Sequence, residues 1–194
     1  MSVRFAREAD LPAMLTIYAP YVERTSVSFE YTVPTTEEFT ARFRGITKQF
    51  PWLVWEEKGE VLGYAYGSAP FERTAFSWCA EASVYLHPSI HRRGIGRKLY
   101  AALEVLLRLQ GYTLLYAVVT TDNAPSVDFH LSCGYRRLAT FPGCGFKLGA
   151  WHGIIWLEKT LSSVTSPKQT PAPIGEVVEN DQNLADILAK IPLS

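Results

Sequence analysis

The chain is poor in cysteine and histidine and carries no net charge. Its 194 residues hold three cysteines and four histidines, and 19 basic residues balance 19 acidic ones. Cys79, Cys133 and Cys144 are an odd number with no CxxC spacing. That argues against a disulfide framework or a zinc knuckle and fits a reducing compartment. The histidines show no HExxH or comparable ligand spacing, so no metal is expected. A formal charge of zero indicates no general basic surface for nucleic acid. No apolar run approaches a membrane span, and the opening "MSVRFAREADLPAM" lacks the apolar stretch of a secretory signal. The expectation is a cytoplasmic protein with neither a nucleic-acid nor a membrane partner.

What is abundant is core-forming material. Hydrophobic residues make up 47% of the chain, which suits one globular domain with a substantial core. The composition changes near residue 161, where "SSVTSPKQTPAPIGEVVENDQ" is rich in Ser, Thr and Pro. Residues 1–161 are therefore expected to form the domain, and 162–194 a low-complexity tail that adds nothing to the core. Within that tail "NLADILAKIPLS" can form a short helix with Leu184, Ile187 and Leu188 on one side.

Periodicity orders the body as β-α-α-β-β-β-α-β-α-β-β, a mixed α/β (α+β) pattern. "VRFA" reads as a strand, and Leu11, Leu15 and Tyr18 have helical spacing. Thr35 followed by Glu38 is a capping signature ahead of Phe39, Phe43 and Ile46. Two apolar runs flank Lys58-Gly59, a hairpin signal. "FSWCAEASVYLHP" is a longer strand, and "GIGRKLYAALEVLLRLQ" a helix with Ile95, Leu99, Leu103 and Leu106 facing inward. "YTLLYAVVT", "APSVDFHLSC", "YRRLATF" and "WHGIIWLEKTL" then read as strand, helix, strand and strand.

Between the fourth strand and the third helix stands "HPSIHRRGIGRKL", two glycines framed by arginines. It reads either as a tight turn with solvated arginines or as a phosphate cradle. Consecutive N–H groups around Arg92 to Arg97, opening a helix, form a concavity of positive potential. Gly94 and Gly96 remove side chains that would keep a phosphate away, and Arg92, Arg93 and Arg97 add charge. The position after a strand and before a helix favours the cradle. The loop follows the fourth strand rather than the first, and no GxxxxGK[ST] is present, which speaks against a nucleotide-binding module.

Element order, "SVYLHPSIHRRGIGRKL" and "DNAPSVDFHLSCGY" together resemble the GNAT N-acetyltransferases over residues 3–161. Gly94 and Gly96 match that family's Q/R-x-x-G-x-G/A loop, with His91 where glutamine or arginine is usual. The strings "TSVSFE", "FPWLVWE", "GYAYGSAPFERTAFSW", "AEASVYLHP" and "GFKLGAWHG" narrow the resemblance to the phosphinothricin and methionine sulfoximine N-acetyltransferases. The resemblance implies a GNAT fold, a mixed central sheet with helices on both faces, and acetyl-CoA as co-substrate. It further implies a small-molecule amine acceptor and a homodimer.

Site residues follow from the two readings together. Glu81 interrupts an apolar strand. It is either an edge or ion-paired glutamate, or the general base that takes the acceptor's ammonium proton, as the resemblance implies. His130 stands where many relatives carry a tyrosine that protonates the leaving thiolate. It can transfer that proton or orient the substrate or Glu81. Val84, Tyr85 and Leu86 are expected to offer main-chain bonds to the pantetheine arm, and Arg92, Arg93, Gly94, Ile95, Gly96 and Arg97 to hold its pyrophosphate. Asn123 caps the following helix and is a cofactor contact by resemblance, as is Ser132. For the acceptor, Arg73 is the cation of "FERTAF", with Thr74 and Ala75 beside it, and serves as carboxylate anchor or as a solvated arginine. Phe29 and Lys147 are further substrate-side candidates, Lys147 also a candidate for a subunit contact. Acetylation of a polyamine, a drug or a protein N-terminus, and a catalytically idle acyl-CoA sensor, are the alternatives the sequence leaves open.

Overall fold

The computed structural model describes residues 2–163, 169–179 and 181–189. One seven-stranded sheet runs β1-β2-β3-β4-β5-β7-β6. Its strands are β1 (Ser2–Phe5), β2 (Trp52–Glu57), β3 (Glu60–Ser68), β4 (Cys79–Leu86), β5 (Leu114–Thr120), β6 (Arg136–Lys147) and β7 (Ala150–Thr160). All neighbours are antiparallel except β4 and β5. The helices of the body are α1 (Leu11–Arg24), α2 (Thr36–Ile46), α3 (Ile95–Gln110) and α4 (Ala124–Ser132). The expected order of the body is the observed one.

Local rules explain the boundaries. The Thr35 hydroxyl accepts from the Glu38 N–H, and the Glu38 carboxylate accepts from the Thr35 N–H, closing the capping box of α2. Lys58 and Gly59 both have positive φ, which a two-residue hairpin turn requires. Along α3, Leu99, Leu103, Leu106 and Leu107 are fully buried, each worth about 1.5–3 kcal/mol of apolar transfer.

Two apolar layers sandwich the sheet. Trp52, Val54 and Tyr64 pack under α1 and α2, while Leu53, Ala65, Ala82 and Leu115 pack under α3. The sheet is thus covered on both faces, and β4 lies at its centre. Among the described residues no helix is long and apolar enough to cross a membrane.

The expectation that residues beyond 161 add nothing to the core is corrected. Residues 174–177 and 181–188 form α5 (Ile174–Val177) and α6 (Asp181–Leu188). Ile174, Val178 and Leu184 belong to the same buried cluster as α3. Main-chain bonds tie Ala172 to Gln110 and Ile174 to Gln49, and the Gln110 amide donates to Ala172 O at 2.8 Å. The Ser/Thr/Pro-rich run falls partly on residues 164–168, which lie outside the described residues, as do 180 and 190–194.

Candidate active site

The site starts from a divergence of two strands. β4 and β5 pair over Cys79–Glu81 and Leu114–Tyr116 only, although β4 continues to Leu86 and β5 to Thr120. Beyond Glu81 they part. The His87 N–H donates to Leu62 O of β3 at 2.8 Å, and an antiparallel ladder repeats every second residue. Residues 81, 83 and 85 therefore turn their main-chain groups toward β3, and Ala82, Val84 and Leu86 turn theirs into the gap. Leu86 O already accepts from the Tyr21 hydroxyl at 2.7 Å, and Ala82 O lies 3.3 Å from the Tyr100 hydroxyl. Val84 offers both its N–H and its C=O. Tyr85 is corrected: its main chain serves the β3 ladder, and its ring packs edge-on against Tyr18.

A narrow cleft of about 60 Å³ occupies the gap, walled by Val27, Val84, Tyr100, Asn123 and His130 among others. Asn123 caps α4 by accepting from the Ser126 N–H at 3.2 Å, so capping and cleft position coincide. His130 is buried on α4. Its Nδ1 lies 2.7 Å from the Ser126 carbonyl, which can only accept, so Nδ1 carries the proton. Nε2 is then the acceptor, and the Tyr100 hydroxyl 3.0 Å away donates to it. Burial pushes the imidazole below its ordinary range, partly opposed by the Ser126 carbonyl. A neutral ring whose one N–H is taken has no proton to pass to a thiolate, and its hydrogen-bond partners are Ser126 and Tyr100 rather than Glu81.

The glycine loop closes the gap at the far end of β4. Arg92 has φ 60° and Gly94 φ 75°, left-handed conformations that turn successive N–H groups to one side ahead of α3. A Cβ on Gly94 would meet nothing within 4 Å, so the outer face of the turn is open to a ligand. Gly96 works differently. It is buried, and a Cβ there would touch Leu86 and the Phe129 ring at 3.4 Å, so its missing side chain lets α3 approach β4 and α4.

The arginines divide in role. Arg93 pairs with Glu57 at 3.0 Å. Arg97 donates to Ser132 O and Oγ at 3.0 and 2.9 Å, so Arg97 and Ser132, both expected at the cofactor, hold each other. Arg92 has no ion pair among the described residues. His91, the departure from the family loop, donates through Nε2 to Leu86 O at 3.1 Å and pins the loop to the strand end.

Glu81 is half-buried on the α1 side of β4 and opposite Ser68. No cation pairs with it among the described residues, so the ion-paired alternative has no partner. Burial pushes its carboxyl above the ordinary carboxylate range.

Ser68 opens the loop that carries Arg73, Thr74 and Ala75, so these stand at the Glu81 end of β4. All three are exposed. Arg73 and Thr74 line a larger cavity of about 380 Å³ beneath that loop, together with Gln49, Tyr112 and Pro171. This cavity holds neither His130 nor the open main chain of Val84. Glu81 lines neither cavity.

Two substrate-side expectations are corrected. The Lys147 ammonium is buried and donates to the carbonyls of Val22 at 2.6 Å, Thr25 at 2.9 Å and Ser28. All its protons are committed, and burial pushes its pKa below the ordinary lysine range. It holds main chain, not substrate. Phe29 lays its ring where a Cβ of residue 145 would otherwise sit, packing on Gly145 of β6 instead of walling the cleft.

Sequence reading missed Tyr100, Tyr21 and Ala82. Tyr100 left a trace, since a tyrosine within the Leu-rich stripe of a buried helix needs a partner for its hydroxyl.

The profile of the acetyltransferase (GNAT) domain matches residues 3–171. The chain belongs to the GNAT acetyltransferase family. Among curated GNAT relatives, the phosphinothricin N-acetyltransferase of Streptomyces viridochromogenes is 30% identical over 177 residues, 91% of this chain and 96% of that protein. The L-methionine sulfoximine/L-methionine sulfone acetyltransferase of Salmonella typhimurium is 32% identical over 168 residues, 86% of this chain and 98% of that one. Among solved structures, a GNAT phosphinothricin acetyltransferase from Sinorhizobium meliloti in complex with acetyl-CoA superposes with a TM-score of 0.83 at 32% identity. It covers 87% of this chain and 92% of that chain. The enzyme is an acetyl-CoA-dependent N-acetyltransferase, and the open Val84 main chain and the left-handed loop fit that donor. Among the described residues no group of three or more His, Cys, Asp or Glu could hold a metal ion.

Proposed function

We propose that this enzyme moves the acetyl group of acetyl-CoA to the primary amine of a small amino-acid-like acceptor, of the phosphinothricin, methionine sulfoximine or methionine sulfone type. The transfer is direct, within a ternary complex. The observation that carries the reading is one strand with two functions: β4 presents an unpaired, half-buried Glu81 and, three residues on, the open main chain of Val84.

Glu81 takes the proton of the acceptor's ammonium, directly or through a water, because only the neutral amine is nucleophilic. Its raised pKa brings it closer to the amine's and eases that transfer. The amine nitrogen attacks the thioester carbonyl, the C–N bond forms and the C–S bond breaks; CoA leaves as its thiolate, which takes up the second proton shed by the attacking nitrogen, directly or through water. The Val84 N–H stands in the gap to stabilise the carbonyl oxygen as charge develops. The N–H groups from Arg92 to Gly96, with Arg92 for charge, hold the pyrophosphate, and Asn123 borders the pantetheine. Arg73 offers a cation to the acceptor's carboxylate. His130 fixes the Tyr100 hydroxyl at the cleft wall.

The test is thiol release from acetyl-CoA with a panel of amino acids that includes phosphinothricin, methionine sulfoximine and methionine sulfone. Turnover with one or more of these is expected. Turnover confined to polyamines or peptide N-termini would overturn the acceptor class, and none with any amine would leave an acyl-CoA sensor.

We further propose a homodimer formed through the β6–β7 hairpin. Phe146 and Trp151 stack edge to face at 5.4 Å between ring centroids while 47% and 68% exposed, with Leu148 between them in sequence. Such an apolar cluster at a sheet edge suits a self-complementary contact. Sedimentation should give the mass of two chains, and Trp151→Ser should shift it toward one. Cys79, Cys133 and Cys144 remain free thiols, in keeping with a cytoplasmic setting.

A further inference from the structure

A buried ammonium with no carboxylate at hydrogen-bond distance is costly unless every proton finds an acceptor. Lys147 meets that condition with three carbonyls, 119 to 125 residues away in sequence. They belong to the end of α1 and the first residues of the loop that joins α1 to α2. Between Thr25 and Ser28 lies Val27, which lines the cleft beside His130 and Asn123.

The same loop is fastened on its other side. The Ser26 hydroxyl donates to the Asp122 carboxylate at 2.8 Å, and Asp122 immediately precedes Asn123. His152 on β7 stands between Asp122, 2.9 Å from Nδ1, and the Lys147 carbonyl, 3.0 Å from Nε2. Further along, the Tyr31 hydroxyl donates to Phe146 O, and the Phe29 ring seats on Gly145. The fastenings form a closed ring from the loop to Asp122, to His152, to Lys147 and back to the loop.

We propose that Lys147 is a positioning residue for the acceptor amine: by gripping the carbonyls on either side of Val27 it holds that side chain as a fixed wall of the cleft. This rests on the acetyl-transfer reading above and deepens it. Val27 shares its cleft with Val84 and Asn123, where the donor's pantetheine also runs, but acetyl-CoA keeps its hold on β4 and the glycine loop, which Lys147 does not touch, so a loosened Val27 should weaken the acceptor more than the donor.

The experiment compares wild type with two variants that loosen the loop by different means. Lys147→Met removes the donors. Gly145→Ala leaves the lysine intact and displaces the Phe29 ring. Each should raise KM for the acceptor about tenfold or more while kcat changes less. Acetyl-CoA affinity by calorimetry should stay within about twofold. Amide hydrogen exchange over residues 25–31 should accelerate in both. If Lys147→Met fails to fold, Lys147→Arg, whose planar donors cannot meet the same three carbonyls, takes its place with the same expected outcome. Faster exchange with an unchanged acceptor KM would overturn the proposal, as would an equal loss of acetyl-CoA affinity. A wild type inactive toward every amine would instead overturn the acetyl-transfer reading, so the two failures are distinguishable.

Discussion

The Tyr100 hydroxyl donates to His130 Nε2 across 3.0 Å, joining α3 to α4 at the wall of the cleft. With Nδ1 committed to Ser126 O, this fixes the imidazole as a neutral acceptor. Burial lowers the folded-state pKa of His130 below its unfolded value. As pH falls through the ordinary histidine range, the unfolded chain takes up a proton that the folded one refuses. The stability His130 contributes is therefore present above the unfolded pKa and is lost as pH falls toward the folded one. Melting temperatures between pH 8 and pH 5 should decline on acidification, and His130→Gln should flatten part of that decline. An unchanged profile would mean that the ring is charged in the folded state.

The two loop glycines should fail for different reasons. Gly94→Ala forces a side chain into φ 75°, costing about 1–2 kcal/mol, with open space around it. Gly96→Val drives methyl groups into Leu86 and Phe129, where overpacking costs about 1–3 kcal/mol and moves α3 away from β4. Calorimetry should show acetyl-CoA binding weakened more by Gly96→Val than by Arg93→Ala, since Arg93 is engaged with Glu57. Equal affinities in all three proteins would remove the loop from the account.

The C-terminal segment should matter for stability. Leu184 is fully buried in the α3 cluster, and Leu184→Ala should cost about 2–5 kcal/mol. A chain ending at Leu161 should melt well below the full chain in thermal denaturation. Identical melting temperatures would mean that the packing of α5 and α6 contributes nothing.

How far the sequence could be read divides along physical lines. The α2 capping box, the Lys58-Gly59 turn and the inward stripe of α3 are local, and each is realised where periodicity and turn chemistry expect it. So are the loop between β4 and α3 and the cap at Asn123. The packing of Ile174, Val178 and Leu184 was hidden, because lone apolar residues in a polar stretch reveal burial only once the surface they cover exists. Lys147 was hidden because its partners are main-chain carbonyls distant in sequence, which carry no residue-type signal. Strand β6 runs to Lys147 rather than stopping near Phe141, passing Pro142 and Gly143 through a register shift between Phe141 and Gly145. Those are residues that ordinarily end a strand.

The central claim is that Glu81 deprotonates the acceptor beside the open main chain of Val84, and Glu81→Gln tests it most directly. The substitution keeps size and polarity but cannot accept a proton at neutral pH. In the wild type, kcat/KM should fall on acidification through the Glu81 pKa, which burial holds above the ordinary carboxylate range. In Glu81→Gln, turnover near pH 7 should drop by about two orders of magnitude or more and part of it return at high pH, where more amine is already neutral. Acetyl-CoA affinity should be unchanged. Wild-type turnover in Glu81→Gln across the whole pH range would contradict the account.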